Sequence, residues 1–145
     1  MQNSLHFQLM VTQNTMLHQI LTGAMQCGLD PGQPKILEYL SEHDGCQQLE
    51  LARKCELNKS TITGIVKRME AKGLIRREDN AEDARCVAVY LTEEGKKAVR
   101  QMETIFEETE RKALRGISSQ EQEQFMLILQ RMHTNLNSEQ KGRKF

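Results

Sequence analysis

Residues 58–77 read NKSTITGIVKRMEAKGLIRR, and this stretch decides the fold. Its apolar residues recur at the i, i+3, i+4 and i+7 spacing of one buried helix face: Ile62, Ile65, Val66 and Met69. Asn58 is a favourable N-cap, and Gly73 stands where a glycine commonly ends a helix. The pattern therefore predicts a helix that ends at Lys72, followed by a short strand over residues 74–77.

The opposite face of this predicted helix is polar and basic. It presents Ser60, Thr61, Thr63, Gly64, Lys67 and Arg68. Small hydroxyl residues at the start would let the helix enter a DNA major groove, where Ser and Thr bond base edges or phosphates. Lys67 and Arg68 would reach a guanine or the phosphate backbone. The alternative interpretation is an ordinary amphipathic helix whose polar face contacts only water.

Shorter helical patterns precede this helix, and a hairpin is expected to follow it. Residues 33–42 and 48–54 each show apolar residues at helical spacing. The strand at 74–77 leads into a polar tip over 78–84, and residues 86–91 then alternate as a half-buried strand. Three short helices followed by a hairpin is the order of a winged helix-turn-helix.

Longer helices are expected on both sides of this region. The first 29 residues contain no Lys, Arg, Asp or Glu, and residues 5–27 form a helical pattern with a broad apolar surface. Thr92 would cap a long helix, and Ser118-Ser119-Gln120-Glu121 is a capping box that opens the last one. Together these helices have more apolar surface than one small domain needs, which indicates a dimer.

The predicted fold class is therefore mainly α with a small β-hairpin wing. We expect a single domain over residues 1–145, in which residues 30–97 form the winged helix-turn-helix region. Residues 1–29 and 98–145 would supply the N- and C-terminal helices of a helical dimerisation layer.

The charge is concentrated in one segment of a neutral chain. The whole chain has 20 Lys and Arg against 20 Asp and Glu, whereas residues 47–77 carry eight Lys or Arg against three Glu, a net of +5. Residues 78–92 carry only Arg85 against four acidic residues, a net of −3. A single basic segment of this kind is typical of a local phosphate-binding surface.

The motifs in this region resemble those of the MarR family of bacterial regulators. The similarity lies in residues 58–66, in Gly73-Leu74-Ile75-Arg76-Arg77, in Glu82-Asp83-Ala84-Arg85 and in Val89-Tyr90-Leu91-Thr92-Glu93-Glu94-Gly95. The Asp-x-Arg sequence followed by Leu-Thr-x-x-Gly is its most diagnostic part. Glu78, Asn80 and Ala84 stand where the wing of the family often carries basic residues and a second Asp, so this wing is less basic.

The resemblance implies a homodimer that binds an inverted repeat in double-stranded DNA, usually as a repressor. The helix that follows Asn58 would enter the major groove, and Arg85 would enter the adjacent minor groove, oriented by Asp83. Residues i and i+2 lie on one face of a strand, so this pair is sterically reasonable, and Arg is favoured in a narrow minor groove. The alternative for Asp83 and Arg85 is a surface salt bridge of little value. Arg77, at the end of the first strand, completes the expected DNA-binding residues.

Other functions find less support in the sequence. There is no Gly-rich phosphate loop, Gly-x-Ser-x-Gly or His-Glu-x-x-His motif, so we expect neither an enzyme nor a cofactor. Glu42-His43-Asp44, with Cys46 nearby, matches no closed zinc pattern, and we expect no metal site. A protein-interaction module that reuses the winged helix without binding DNA remains the alternative function.

The compartment and the signal are expectations of a different kind. With no positively charged start typical of a signal peptide and no membrane span, we expect a cytoplasmic protein with reduced thiols. Cys27 and Cys46 could act as redox sensors or simply pack as small hydrophobic residues. The eight Met residues could line a pocket for a small-molecule effector or fill the core. The sequence names neither the effector, nor the operator, nor the regulated genes.

Overall fold

The computed structural model describes residues 3–80, 82–83 and 86–141, with side chains up to residue 138. Within these ranges it contains six helices and one two-stranded antiparallel hairpin. In chain order the elements are α1 (Leu5–Gln26), α2 (Gln33–Glu42), α3 (Gln48–Lys54), α4 (Lys59–Ala71), β1 (Ile75–Asp79), β2 (Val87–Leu91), α5 (Glu93–Ala113) and α6 (Ser119–Lys141). This is the predicted order, and the predicted fold class is confirmed.

The hairpin is longer than the sequence predicted. The polar tip was expected from residue 78, but Glu78 pairs with Ala88 and Asp79 pairs with Val87 in the antiparallel register. Backbone groups form these hydrogen bonds whatever the polarity of the exposed side chains. The prediction from hydropathy therefore placed the end of β1 two residues too early.

The chain divides into two compact units, Met1–Thr109 and Glu110–Phe145. One apolar core fills the first unit, and its largest fully buried side chains come from every element between α2 and α5. They include Ile36, Leu37, Leu40, Leu51, Ile62, Met69, Ile75, Val89 and Met102. The predicted inner face of α4 is confirmed, because Ile62, Ile65, Val66 and Met69 are all buried.

A close backbone contact joins the hairpin to α5. The Thr92 hydroxyl donates to the Gly73 carbonyl at 2.5 Å, and the Thr92 backbone N–H donates to the Leu74 carbonyl at 3.1 Å. The same hydroxyl accepts a hydrogen bond from the Gly95 N–H at 3.0 Å. Gly95 lies so near the Leu74 carbonyl oxygen that a Cβ there would overlap it. The Leu-Thr-x-x-Gly motif thus fixes where α5 starts relative to β1.

Within the second unit, α6 begins at the capping box that the sequence predicted. The Ser118 N–H donates to the Glu121 carboxylate at 2.8 Å, and the Glu121 N–H donates to the Ser118 hydroxyl at 3.2 Å. This exchange satisfies donors that the first turn of α6 leaves open. It also holds the pKa of Glu121 below its ordinary value, chiefly through the hydrogen bond from the Ser118 backbone N–H. No helix among the described residues is long and apolar enough to cross a membrane.

Candidate nucleic-acid interface

The first turn of α4 is organised by Asn58. Its side-chain oxygen accepts hydrogen bonds from the Thr61 N–H at 2.8 Å and from the Ser60 hydroxyl at 2.9 Å. The predicted N-cap is therefore present. Asn58 caps the start of α4 and also orients the Ser60 side chain. Ser60 and Thr61 are both exposed, so this turn of α4 faces solvent.

Thr63 lies one step further along the same face, but its hydroxyl is already engaged inside the protein. It donates to the Lys59 carbonyl at 2.7 Å and accepts a hydrogen bond from the Gln48 side-chain amide at 3.4 Å. Gln48 is the first residue of α3. The side chain of Thr63 is half-buried, so the helix crossing determines how much of it reaches solvent.

Lys67 and Arg68 occupy the exposed second half of α4. Neither makes an ion pair with any residue that the structure describes. Gly64 places no side chain beside Arg68. A Cβ at position 64 would lie 3.4 Å from the Arg68 guanidinium. Both cations are thus available to an anionic partner.

Three other cations of the basic segment are bound within the protein. Lys72 donates to the Asp30 carboxylate and to the Gly28 carbonyl, each at 2.9 Å. Arg76 lies over the Tyr90 ring, 4.3 Å from its centroid, and pairs with Glu78. Sequence reasoning missed the contacts of Lys72 and the stacking of Arg76 on Tyr90, since no local pattern relates residues that far apart in the chain.

Arg77, one of the predicted DNA-binding residues, is bound in the same way. Its Nε and Nη2 donate to the two Glu70 carboxylate oxygens at 3.2 Å and 3.0 Å. The hydrogen bond from Arg77 holds the pKa of Glu70 below its ordinary value. This two-point contact ties β1 to the end of α4. The DNA contact of Arg77 stays a prediction.

The remaining cations of the basic segment form one exposed group. They are Arg53, Lys54, Lys59, Lys67 and Arg68. All five lie on α3 and α4, and none makes an ion pair within the described part of the chain. We call this group the α3–α4 cationic surface. It is smaller than the composition suggested, and three of its five residues share α4 with the exposed Ser60 and Thr61.

The tip of the hairpin is turned by Asn80. The Asn80 N–H donates to the Cys86 carbonyl at 3.0 Å, and its side-chain oxygen accepts from the Glu82 N–H at 3.0 Å. Asp83 is half-buried, and its carboxylate lies 3.7 Å from the Cys86 thiol. Arg85 and Ala84 lie outside the described residues, so the predicted orientation of Arg85 by Asp83 stays a prediction.

The residues considered for a metal site have other contacts. Asp44 accepts a hydrogen bond from the Leu91 N–H at 2.8 Å, and the His43 ring stacks on Tyr39 with centroids 4.2 Å apart. Among the described residues, no three His, Cys, Asp or Glu side chains are grouped so as to hold a metal ion. Burial raises the pKa of Cys46 to about 11, so its thiol is protonated and weakly reactive at neutral pH.

Comparisons with known proteins support the family resemblance of the sequence motifs. Residues 29–87, which contain α2 to α4 and β1, match the model of the MarR family. The chain is similar to the transcriptional regulator HosA of Escherichia coli O127:H6, with 32% identity over 97 residues covering 67% of this chain and 72% of that protein.

Solved structures extend the similarity to nearly the whole chain. A probable transcriptional regulator from Pseudomonas aeruginosa is 30% identical, with a TM-score of 0.78 over 90% of this chain and 97% of that one. The MepR protein of S. aureus, solved as a complex with DNA, is 26% identical, with a TM-score of 0.81 over 92% of this chain and 96% of that one. The sequence motifs, the fold and these relatives agree: the chain belongs to the MarR family of transcriptional regulators.

Proposed function

We propose that this protein is a homodimeric repressor that binds an inverted-repeat operator in double-stranded DNA. In each half-site α4 enters the major groove, Ser60, Thr61 and Thr63 face the bases, and Lys67 and Arg68 contact a base or the phosphates. The observation that carries this proposal is that α4 combines exposed hydroxyl residues at its start with exposed cations that have no ion-pair partner among the described residues. The DNA complex of the similar protein MepR supports it.

The operator symmetry follows from the proposed dimer. A two-fold dimer presents two copies of α4, so it recognises the same bases twice in opposite directions. DNA is then the partner, the cytoplasm the expected compartment, and a small molecule the expected releasing signal. We favour a small molecule over oxidation at Cys46, because the high pKa of that thiol disfavours the reactive thiolate.

A salt titration on duplex DNA tests the proposal against the alternative of a protein-interaction module. Binding should weaken steeply as salt rises, because each neutralised phosphate releases counterions. Lys67→Ala and Arg68→Ala should each lower affinity, by about 1–3 kcal/mol on the selected operator if that residue reads a base. A residue that contacts only phosphate should instead weaken all sequences alike. Lys97→Ala on α5 is the matched control, since it removes the same charge from an exposed site.

Two outcomes would contradict the proposal. Binding that is absent, or that does not change with salt, favours the interaction module. Variants of Lys67 and Arg68 that bind like the parent would remove α4 from the interface.

The wing has its own test at Asp83. We propose that Asp83 holds Arg85 extended for the minor groove, which lowers the ordering cost of binding. Asp83→Ala should then weaken operator binding although it removes a negative charge, while Glu82→Ala, the neighbouring control, should bind equally well or more tightly. Operator affinity and the midpoint of urea unfolding are measured together. Tighter binding by Asp83→Ala would reject the orienting role.

A further inference from the structure

We propose that Gln48 is a specificity-determining positioning residue, which presents Thr63 to DNA as a hydrogen-bond acceptor. Thr63 then selects a base that offers an exocyclic amine in the major groove, adenine or cytosine, and rejects guanine. This inference rests on the proposed function, because it requires α4 to be the reading helix. It concerns a residue of α3 that lies outside the predicted DNA-binding set.

The Thr63 hydroxyl already uses most of its hydrogen-bonding capacity within the protein. A hydroxyl has one proton and two acceptor positions. The proton is used, because Oγ1 donates to the Lys59 carbonyl at 2.7 Å. One acceptor position is used by the Gln48 amide N–H at 3.4 Å. What remains for DNA is one acceptor position and the methyl group.

The rotamer of Thr63 determines where its hydroxyl and its methyl group lie. A helical Thr divides between two side-chain rotamers, because its hydroxyl can bond the preceding turn from either. In one rotamer the methyl group takes the position that the hydroxyl holds in the other, and the hydroxyl then lies at a third position. The Gln48 amide supplies a hydrogen bond from outside α4 that favours the rotamer in which Oγ1 faces it. Because the hydrogen bond is long, its effect lies in selecting a rotamer rather than in adding much stability.

Stability alone does not explain one buried atom of Gln48. The Gln48 side-chain oxygen is fully buried, and no hydrogen-bond partner for it exists among the described residues. A buried acceptor without a partner lowers the stability of the folded state, and an apolar side chain of similar shape would avoid that cost. Residues that oppose local stability in this way are commonly retained at functional sites.

The bases differ in the hydrogen-bonding groups that they present in the major groove. Adenine and cytosine present an amine there, whereas guanine presents only the acceptors O6 and N7. An acceptor on Thr63 bonds the amine of adenine or cytosine. Opposite guanine, the same oxygen would face another acceptor without a proton between them. Gln48 therefore determines which bases α4 accepts at one position, without contacting DNA itself.

The test combines a selection experiment with an unfolding experiment on Gln48→Met. The probe is a pool of duplex DNA randomised over about 20 base pairs, enough for two half-sites one helical turn apart. The parent protein should prefer adenine or cytosine over guanine at one position of each half-site, by about fivefold for a single neutral hydrogen bond. Gln48→Met should lose most of this preference and keep the other positions. It should also unfold at equal or higher urea, because the unpaired buried oxygen is gone.

Two variants of Thr63 and one control complete the experiment. Thr63→Val removes the hydroxyl with little change of shape and should lose the same preference, whereas Thr63→Ser should retain part of it. Gln47→Met is the matched control, since its side chain is the exposed neighbour on the same helix cap, and it should select the parent sequence.

The results separate this inference from the proposed function. If the parent selects no sequence at all, the proposed function fails and the inference fails with it. If the parent selects a sequence that Gln48→Met selects unchanged at every position, only the role of Gln48 is rejected. A Gln48→Met variant that loses stability, with all positions weakened alike, identifies Gln48 as purely structural and also overturns the inference.

Discussion

Glu70 and Arg77 form an ion pair with two hydrogen bonds between α4 and β1. The guanidinium makes two parallel hydrogen bonds to one carboxylate, at 3.0 Å and 3.2 Å, a geometry that is both directional and charge-assisted. The pair is partly exposed, so its direct contribution to stability is modest. Its consequence is positional, because it joins the last part of α4 to the first strand of the wing.

The pair should make stability depend on pH in a defined direction. The hydrogen bond from Arg77 lowers the pKa of Glu70 below the ordinary 4.5. The folded state therefore binds this proton more weakly than the unfolded chain does. The contribution is complete above pH 4.5 and is lost as the pH falls through the folded pKa.

Urea unfolding of the parent protein and of Glu70→Gln checks this expectation. The difference between the two in free energy of unfolding should be largest near pH 7 and should shrink below pH 4.5. Glu107→Gln serves as the control for a general loss of negative charge, since Glu107 is exposed on α5. A difference between Glu70→Gln and the parent that is the same at every pH would contradict a role for the ionised pair.

Residue-level contacts divide into those that the sequence predicts and those that it does not. The Asn58 cap and the Ser118–Glu121 capping box were predictable, because their donors and acceptors lie within one helical turn. Lys72 and its acceptor Gly28 are 44 positions apart, and no local pattern encodes that contact. The charge count therefore overstated the free cations, although it located the basic segment correctly.

At the scale of elements, the junction between β1 and α5 sets the angle of the wing. Thr92 uses its hydroxyl as both donor and acceptor there, and Gly95 allows the helix to approach the Leu74 carbonyl. The sequence predicted the start of α5 from Thr92 as a cap. It could not show why Gly95 is required, because the crowding atom belongs to a different element.

Gly95→Ala should therefore destabilise the fold. The added methyl overlaps a backbone carbonyl that cannot rotate away, so we expect a loss of about 1–3 kcal/mol in the free energy of unfolding. Gly64→Ala is the informative control, because its Cβ would meet only a flexible Arg68 side chain at 3.4 Å. In the interior of a helix that change should instead stabilise by about 1 kcal/mol. Equal urea midpoints for the two variants would show that the Gly95 contact is not rigid.

At the scale of the whole molecule, α1 exposes large apolar side chains where an ordinary surface helix exposes charged ones. Leu5, Met10 and Met25 are 64%, 60% and 70% exposed, and Leu17 is 44% exposed. No Lys, Arg, Asp or Glu interrupts this surface. Contiguous apolar patches of this kind mark association sites. The sequence indicated this surface by the missing charges, but the pattern within one helix does not identify what covers an exposed apolar face.

We expect the surface of α1 to be covered by a second copy of the chain. Because Met10 and Leu17 are exposed in one protomer, Met10→Lys or Leu17→Lys should leave the fold of that protomer intact. In a dimer the same lysine would displace buried apolar area, so association should weaken about tenfold or more. Sedimentation equilibrium at micromolar concentration measures this directly, with operator affinity as the second readout, since both half-sites need both protomers. Gln19→Lys is the control, because position 19 lies half a turn from position 10 on the same helix and is exposed and polar. A parent protein that sediments as a stable folded monomer, or lysine variants that associate and bind DNA like the parent, would exclude α1 from the dimer interface.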